Sequence, residues 1–215
     1  MKKLLSTLFL LFFTIIFSQE YQFDYMLRST VKRENPDYDY QSYDMVNSKN
    51  HSYYMEVSKN TITQNYYSII IDKKRKLVNR FFVSDINKIP INFKFESKNN
   101  LSGHQFYKYS NLKIENIGEL KYKISPERIL KPKKQILEIE IELEKSEDDL
   151  VIINFEPLLR EQEYEIENLI KEKLKSENQN GNFYIKEIKI KYFKNSFISE
   201  KIELEKVKVQ LNITD

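Results

Sequence analysis

The sequence predicts a mainly β, α+β fold: an antiparallel sheet, curved as a half-barrel or packed as a sandwich, with one helix at about residues 157–177. Three observations support this. The chain has 15 Tyr and 14 Phe against only 3 Gly, and aromatic residues suit a half-buried pleated surface. Apolar and polar residues alternate with a period of two in several segments, as in strands. One later segment has apolar residues three and four apart, as in a helix.

Alternation around polar turns predicts two hairpins in the N-terminal half. The first joins residues 43–47 to 52–57, and the second joins 66–71 to 77–83. A further strand is expected to begin at residues 91–96. At the start of this half, the aromatic residues Tyr21, Phe23 and Tyr25 are two apart, so we expect them to share one face of a strand.

The clearest strand is LEIEIELE at residues 137–144, in which leucine and isoleucine alternate with glutamate. One face of this strand is dry and the other wet, as expected for an antiparallel sheet. The acidic run 147–149 is expected to turn the chain into a short buried strand at residues 150–155. Glutamates on a shared face could also assist hydrolysis as a pair, but a solvated face is the simpler explanation of this spacing.

The predicted helix begins at Pro157, which is tolerated in a first helical turn. Acidic residues come early and lysines late, which complements the helix dipole. Asn180-Gly181 is a typical end signal.

Two more strands, at residues 183–193 and 198–213, are expected to follow the helix. In the second one the apolar positions are even at Ile202 and Leu204 but odd from Val207 onward. A β-bulge near Lys206 would reconcile the two runs.

Residues 1–18 have the order of a secretory signal peptide: two lysines, an uncharged run at 4–17, and the small residue Ser18 at the expected cleavage point. The run is short for a membrane span, which needs about 20 residues. Cleavage would leave residues 19–215 as one β-rich domain, with a sub-boundary expected within the irregular region 98–132. The expected location is periplasmic or secreted, without a membrane span. An uncleaved N-terminal anchor is the alternative.

Charge and cysteine content exclude several classes of protein. Loss of Lys2 and Lys3 with the signal leaves 33 basic and 32 acidic side chains, a net charge of +1. A nearly neutral exported protein gives no electrostatic basis for nucleic-acid binding. The absence of cysteine excludes disulfides, thiol catalysis and a lipid-modified N-terminal cysteine.

Three short segments of the N-terminal half resemble a recurrent type of small secreted protein from Gram-negative bacteria. They are Phe23-Asp24-Tyr25, residues 46–54 (VNSKNHSYY) and residues 101–107 (LSGHQFY). The resemblance implies export and a β-rich body, and it transfers no active site.

No motif predicts a catalytic residue, a metal site or a cofactor. His51 and His104 are the only histidines, and neither belongs to a zinc or nucleophile motif. The acidic groups at 37–44 and 147–149 could bind calcium through oxygen, but neither has the glycine-containing twelve-residue loop. The cationic run 73–76 could contact anionic lipid or serve simply as a charged hairpin tip.

Tyrosine is concentrated between residues 38 and 67. Its flat apolar ring and polar tip suit sugar or peptide recognition, although tyrosine also fills half-exposed strand positions. The candidate ligand-binding residues are Tyr38, Tyr40, Tyr43, Tyr53, Tyr54, Tyr66 and Tyr67.

These observations favour an exported, non-catalytic binding or interaction protein whose ligand is a sugar, a peptide, a lipid or another protein. The first alternative is a periplasmic carrier of lipid or lipoprotein, in which the helix closes an apolar half-barrel. The second alternative is a hydrolase that uses carboxylates.

Overall fold

The computed structural model describes residues 19–60, 63–84, 86, 91–101, 111–127, 138–153, 162–193 and 196–213. Within them the α-helix α1 (Glu163–Ser176) lies between β9 and β10, and a short 3-10 helix (Pro36–Tyr38) lies between β1 and β2. The strands are β1 (Gln19–Arg33), β2 (Tyr40–Val46), β3 (Tyr53–Lys59), β4 (Tyr66–Asp72), β5 (Leu77–Val83), β6 (Phe93–Asn100), β7 (Leu112–Gly118), β8 (Lys121–Pro126), β9 (Glu138–Ser146), β10 (Asn182–Phe193) and β11 (Ser196–Ile213).

All eleven strands form one antiparallel sheet in the order β6-β5-β4-β3-β2-β1-β11-β10-β9-β8-β7. The first and last strands pair at its centre, from Gln19 opposite Ile213 to Arg33 opposite Ile198. The edge strands β6 and β7 do not pair with each other, so the sheet does not close into a barrel. The predicted α+β class with a largely antiparallel sheet and a helix is therefore confirmed.

Most of the predicted strands are present. Both N-terminal hairpins are confirmed as β2–β3 and β4–β5, and the predicted strands at 91–96, 137–144, 183–193 and 198–213 correspond to β6, β9, β10 and β11. The expected strand at 150–155 is wrong for the residues described, because within 150–153 only Leu150 forms an isolated bridge, to Tyr184.

The region 98–132 is more regular than its sequence suggests. It contains β7 and β8, which pair with each other, and β8 pairs with β9. The described part of this region therefore continues the main sheet.

Neighbouring side chains of β1 and β2 belong to different hydrophobic cores. Met26 and Met45 pack in one core, whereas Leu27 and Val46 pack in another. Because successive side chains of a strand point to opposite faces, the sheet is buried on both faces here. We call the first the aromatic core: Tyr21, Phe23, Met26, Tyr43, Met45, Tyr53, Met55, Val57, Ile70, Phe81, Val83, Ile86 and Ile213. We call the second the central core: Tyr25, Leu27, Val46, Tyr54, Ile71, Leu150, Ile152 and Tyr184.

A register shift lies where the sequence predicts a bulge. Phe23 pairs with Val209 but Tyr25 pairs with Lys206, so two steps along β1 match three along β11. Phe23 packs in the aromatic core and Tyr25 in the central core, and the expectation that Tyr21, Phe23 and Tyr25 share one face is therefore wrong.

The register shift does not place the two apolar runs of β11, one before Lys206 and one after it, in the same core. Ile202 and Leu204 pack against the central core, whereas Val207 and Val209 pack against the aromatic core. The change of parity in the sequence thus marks a change of buried face.

Helix α1 packs Ile166, Ile170 and Leu174 onto β8, β9 and β10. Together these elements form the helix core, to which the alternating residues Ile139 and Ile141 of β9 belong. The face with the glutamates of β9 is wet, as predicted: Glu138, Glu142 and Glu144 pair with lysines, as Glu142 does with Lys121 at 2.9 Å. The helix starts later than expected, at Glu163, and residues 157–161 lie outside the described part of the chain.

No helix in the described part of the chain combines the length and the apolar character needed to cross a membrane. The signal-peptide interpretation of residues 1–18 concerns residues outside that part.

Candidate functional site

The seven tyrosines proposed from sequence do not line one surface. Tyr43 and Tyr53 are buried in the aromatic core, and Tyr66 packs against it. Tyr54 is buried on the opposite face of the sheet, in the central core. Tyr38, Tyr40 and Tyr67 are exposed on separate elements, with relative exposures of 64%, 40% and 37%. The register of each strand decides which face of the sheet a side chain lies on. Tyrosines that are close in sequence therefore lie on different faces and elements.

One of the seven, Tyr53, lies in an open polar pocket at the end of the sheet where β1 begins. The pocket has a volume of about 310 Å³. The start of β1, the β2–β3 turn and the β4–β5 turn surround it. Its lining residues are Glu20, Gln22, Asn50, Ser52, Tyr53, Asp72, Lys74 and Arg75.

The pocket exists because β1 extends past the end of β2. Pairing of β1 with β2 begins only at Tyr25, opposite Val46, which leaves residues 19–24 without β2. This segment instead forms hydrogen bonds with side chains of the β2–β3 turn and of Tyr53, the first residue of β3. The Tyr53 hydroxyl donates to the Gln22 carbonyl at 3.1 Å and accepts from the Gln22 N–H at 3.2 Å.

Asp24, at the register shift, fixes the other end of the same turn. Its two carboxylate oxygens accept from the Ser48 N–H at 2.8 Å and from the Ser48 hydroxyl at 2.6 Å. Asn47 donates through its side chain to the Gln22 carbonyl at 2.9 Å. The turn is therefore held on β1 by several independent hydrogen bonds, and one wall of the pocket is fixed.

A buried polar network lies beneath the pocket, against the aromatic core. The Tyr21 hydroxyl is 3.1 Å from Asp72 Oδ2 and 3.2 Å from Gln19 Oε1. Asn79 donates to the Tyr21 hydroxyl at 3.1 Å and lies 3.4 Å from Gln19 Oε1. Tyr21 and Asn79 are 0% exposed and Asp72 is 2% exposed. Burying these groups is costly unless they are paired, so the hydrogen bonds hold their positions closely.

Asp72 links this network to the pocket. Its Oδ1 accepts from the Arg75 N–H at 2.7 Å, which closes the β4–β5 turn, and its Oδ2 is 3.3 Å from Arg75 Nη1. The Arg75 guanidinium also lies 5.9 Å from the centre of the Tyr21 ring. The arginine is thus held by a carboxylate and an aromatic face, while about half of its side chain stays exposed.

Burial raises the pKa of Tyr21 to about 12, and the negative charge of Asp72 adds to the shift. Ionisation would place a phenolate beside a carboxylate in a buried site. The network therefore keeps its phenolic hydroxyl through the whole physiological pH range.

A second polar cluster lies where the β4–β5 turn meets the start of α1. Lys73 Nζ is 2.7 Å from Glu163 Oε2 and 5.2 Å from the centre of the Tyr54 ring. Glu167, one helical turn after Glu163, accepts the Ile153 N–H at 3.0 Å. Burial raises the pKa of Glu167, although the Ile153 N–H and the charges of Lys73, Lys171 and His51 oppose the rise.

The structure places the remaining residues singled out from sequence as follows. His51 lies in the β2–β3 turn, as expected, and His104 is outside the described residues. Glu147, Asp148 and Asp149 contact three different partners: Lys206, the Tyr25 hydroxyl and Lys171. Among the described residues no group of three or more acidic or histidine side chains is arranged to hold a metal ion.

A small crevice of mixed polar and apolar lining lies between the centre of the sheet and the segment 150–153. Its volume is about 20 Å³, which is room for about one water molecule. It is lined by Leu27, Ser29, Asp44, Ile152, Ile153, Ile185, Ile188, Glu200 and Ile202.

No protein-family model, curated protein or solved structure matches this chain.

Tyr53 and the cationic run 73–76 were singled out from sequence, whereas Asn79 and Asp72 of the network beneath the pocket were not, although two signals point to them. Asn79 occupies a position in phase with the buried Phe81 and Val83, where an apolar residue is expected. Asp72 directly follows the apolar run 69–71 and precedes Arg75 by three residues, the spacing of a side chain that closes a turn.

We expect Tyr21→Phe to destabilise the protein by about 1–3 kcal/mol at pH 7, because it removes one hydrogen bond each from buried Asp72 and Asn79. Urea unfolding followed by circular dichroism measures the loss. Exposed Tyr67→Phe is the matched control, with an expected change within about 0.5 kcal/mol.

The free energy of unfolding of wild type and of Tyr21→Phe should depend differently on pH. A pKa raised from 10 to about 12 in the folded state means that the stability contributed by Tyr21 is complete below pH 10 and is lost as the pH rises to 12. Wild type should therefore lose more stability between pH 9 and pH 11 than Tyr21→Phe does. Equal losses would show that the Tyr21 hydroxyl is not protected from ionisation.

Proposed function

We propose that the protein is an exported, non-catalytic binding protein that holds a small polar ligand in the pocket between β1 and the β2–β3 and β4–β5 turns. The observation that carries the proposal is a pocket of about 310 Å³ in which every lining residue carries a polar or charged group and which rests on a fixed buried network. Its volume is at the lower end of the range for small-molecule sites, about 300–1,000 Å³.

The arrangement of the pocket supports binding without a chemical step. The carboxylate of Asp72 is already bonded to Arg75, and the Tyr53 hydroxyl is bonded to the backbone of Gln22. Glu20 Oε1 accepts hydrogen bonds from the side chains of Gln22 at 2.6 Å and Gln210 at 3.0 Å. Groups held in this way are suited to orient a ligand, because they lose little conformational freedom when it binds.

Export is the second part of the proposal, and it rests on the N-terminal sequence pattern. The amino-terminal 18 residues have the features of a signal peptide, and all of β1 as described lies after the expected cleavage point. Cleavage there would leave the whole of β1 in the mature protein. The expected location is the periplasm or the extracellular space.

A blocked pocket should lose ligand binding. Gln22 is an exposed residue of β1 that lines the pocket, so Gln22→Trp is expected to fill it without disturbing the core. Thermal unfolding is recorded for wild type and variant with a library of saccharides, amino acids and short peptides. A ligand at 100 times its Kd should stabilise wild type by about 2.7 kcal/mol and leave Gln22→Trp unshifted.

The matched control is Lys32→Trp, which changes an exposed residue at the other end of the same strand. This variant should keep the full thermal shift. If every ligand that stabilises wild type also stabilises Gln22→Trp equally, the pocket is not the binding site.

A carboxylate-dependent hydrolase is the second candidate, and the raised pKa of Glu167 favours it. A carboxyl group that keeps its proton above the usual range can act as a general acid, and Glu163 lies one helical turn away. This candidate predicts that Glu167→Gln and Glu163→Gln each abolish hydrolysis in a screen of chromogenic glycosides and esters.

The control for that screen is exposed Glu172→Gln on the same helix, which should leave hydrolysis unchanged. Activity should also fall as the pH rises through the raised pKa of Glu167, because the acid must be protonated. Activity that persists in both Glu167→Gln and Glu163→Gln, or that is absent from wild type, excludes this candidate.

A further inference from the structure

The pocket presents two cations from one turn. Lys74 and Arg75 both line it, and within the described residues Lys74 makes no ion pair. Arg75 uses Nη1 and its backbone N–H on Asp72 and also interacts with Tyr21. A guanidinium has five N–H groups, so others remain for a ligand. A guanidinium fixed by a carboxylate and an aromatic ring suits the planar, bidentate recognition of a second carboxylate.

The opposite wall presents hydrogen-bonding groups of both kinds. Glu20 offers carboxylate oxygens, and Gln22 lies beside it with an amide. Asn50 uses its side-chain oxygen for the Ser52 N–H at 3.2 Å and the Ser52 hydroxyl at 2.7 Å, so its NH2 group can serve a ligand. Fixed carboxylate and amide groups match hydroxyl groups, which both donate and accept hydrogen bonds.

The two walls together are complementary to a ligand that has an anionic group at one end and hydroxyl groups along the rest. The cationic wall is formed by neighbouring residues of one turn, whereas the carboxylate and amides belong to β1 and the β2–β3 turn. A simple sugar would leave Lys74 without an ion-pair partner and make no use of the charge that Arg75 presents. A simple carboxylic acid would make no use of the hydrogen-bonding groups on the opposite wall. Both omissions cost binding energy in a site built from polar groups.

We propose that the ligand is an acidic sugar, a pyranose that carries a carboxylate, bound with its carboxylate on Arg75 and Lys74 and its hydroxyls on Glu20, Gln22 and Asn50. The inference rests on the proposed function, since it names the ligand class for the same pocket. It assigns Arg75 as the residue that determines specificity and Asp72 as the residue that positions it.

The test is isothermal titration of the purified protein with D-glucuronate, D-glucose and acetate at equal ionic strength. D-glucuronate should bind at least about tenfold more tightly than either D-glucose or acetate, since only D-glucuronate satisfies both walls. Added sodium chloride should weaken the binding of glucuronate, because the contact is between charges.

Two variants assign the contact to the cationic wall. Arg75→Met and Lys74→Met should each weaken glucuronate binding, and Arg75→Met by about tenfold or more, as expected for a lost charge-assisted hydrogen bond. Arg80→Met, which changes an exposed arginine of β5 outside the pocket, should bind like wild type. Because Lys74 makes no ion pair in the described structure, Lys74→Met keeps the test valid if Arg75→Met fails to fold.

The outcomes separate this inference from the proposed function. Equal binding of glucose and glucuronate, unaffected by Arg75→Met, overturns the acidic-sugar assignment but keeps a binding pocket. Equal binding of acetate and glucuronate also overturns it, because the hydroxyls then contribute nothing. If glucuronate does not bind but another ligand does so in a manner that Gln22→Trp blocks, only the ligand class is wrong. If no ligand binds in the pocket, both proposals fail.

Discussion

The pairing of β1 with β11 is the constraint on which the whole structure depends. The two ends of the described chain meet at the centre of the sheet, over nearly the whole length of β1. Strands β2 to β6 extend from one side of this pair and β10 to β7 from the other, so each half of the sheet is attached to the other through it. Contacts between residues so far apart in sequence cost much loop entropy, and they are offset by apolar burial on both faces.

The register shift within this pair changes which residues of β1 face each of two cores. On one side of it β1 contributes Tyr21 and Phe23 to the aromatic core, and on the other side Tyr25 and Leu27 contribute to the central core. The shift also places Asp24 where it bonds the β2–β3 turn. The proposed binding pocket is thus a consequence of the central pairing: the start of β1 extends past β2, and two turns close over it.

Sequence patterns predicted the parts of the fold that depend on local periodicity. The two N-terminal hairpins, the alternating strand β9, the helix and the irregularity near Lys206 are all visible as spacing of apolar residues. β7 and β8 were missed because each has only two well-spaced apolar residues, as in Leu112 and Ile114, among charged ones. The strand order was not predictable, because the pairing of chain ends leaves no local signal.

The candidate site was predicted less well than the fold. Of the seven tyrosines only Tyr53 reaches the pocket, because the face and burial of each ring depend on register with neighbouring strands. The pocket depends instead on Asp72, Asn79 and Arg75. Their role becomes evident only in the folded structure, where segments distant in sequence come together. A polar residue in an apolar position, such as Asn79, is the one sequence signal that such a network leaves.

The most direct test of the central pairing is a disulfide cross-link, for which the cysteine-free chain is well suited. Thr30 and Lys201 are exposed partners on β1 and β11. Paired residues of antiparallel strands have Cα atoms about 4.5–5.5 Å apart, within the range of a disulfide. Thr30→Cys with Lys201→Cys should oxidise to a single cross-linked monomer, identified by mass spectrometry of the digested protein. Thr30→Cys with Glu205→Cys, four residues further along β11, should remain reduced. Cross-linking of the second pair, or of neither, would contradict the pairing of the first and last strands.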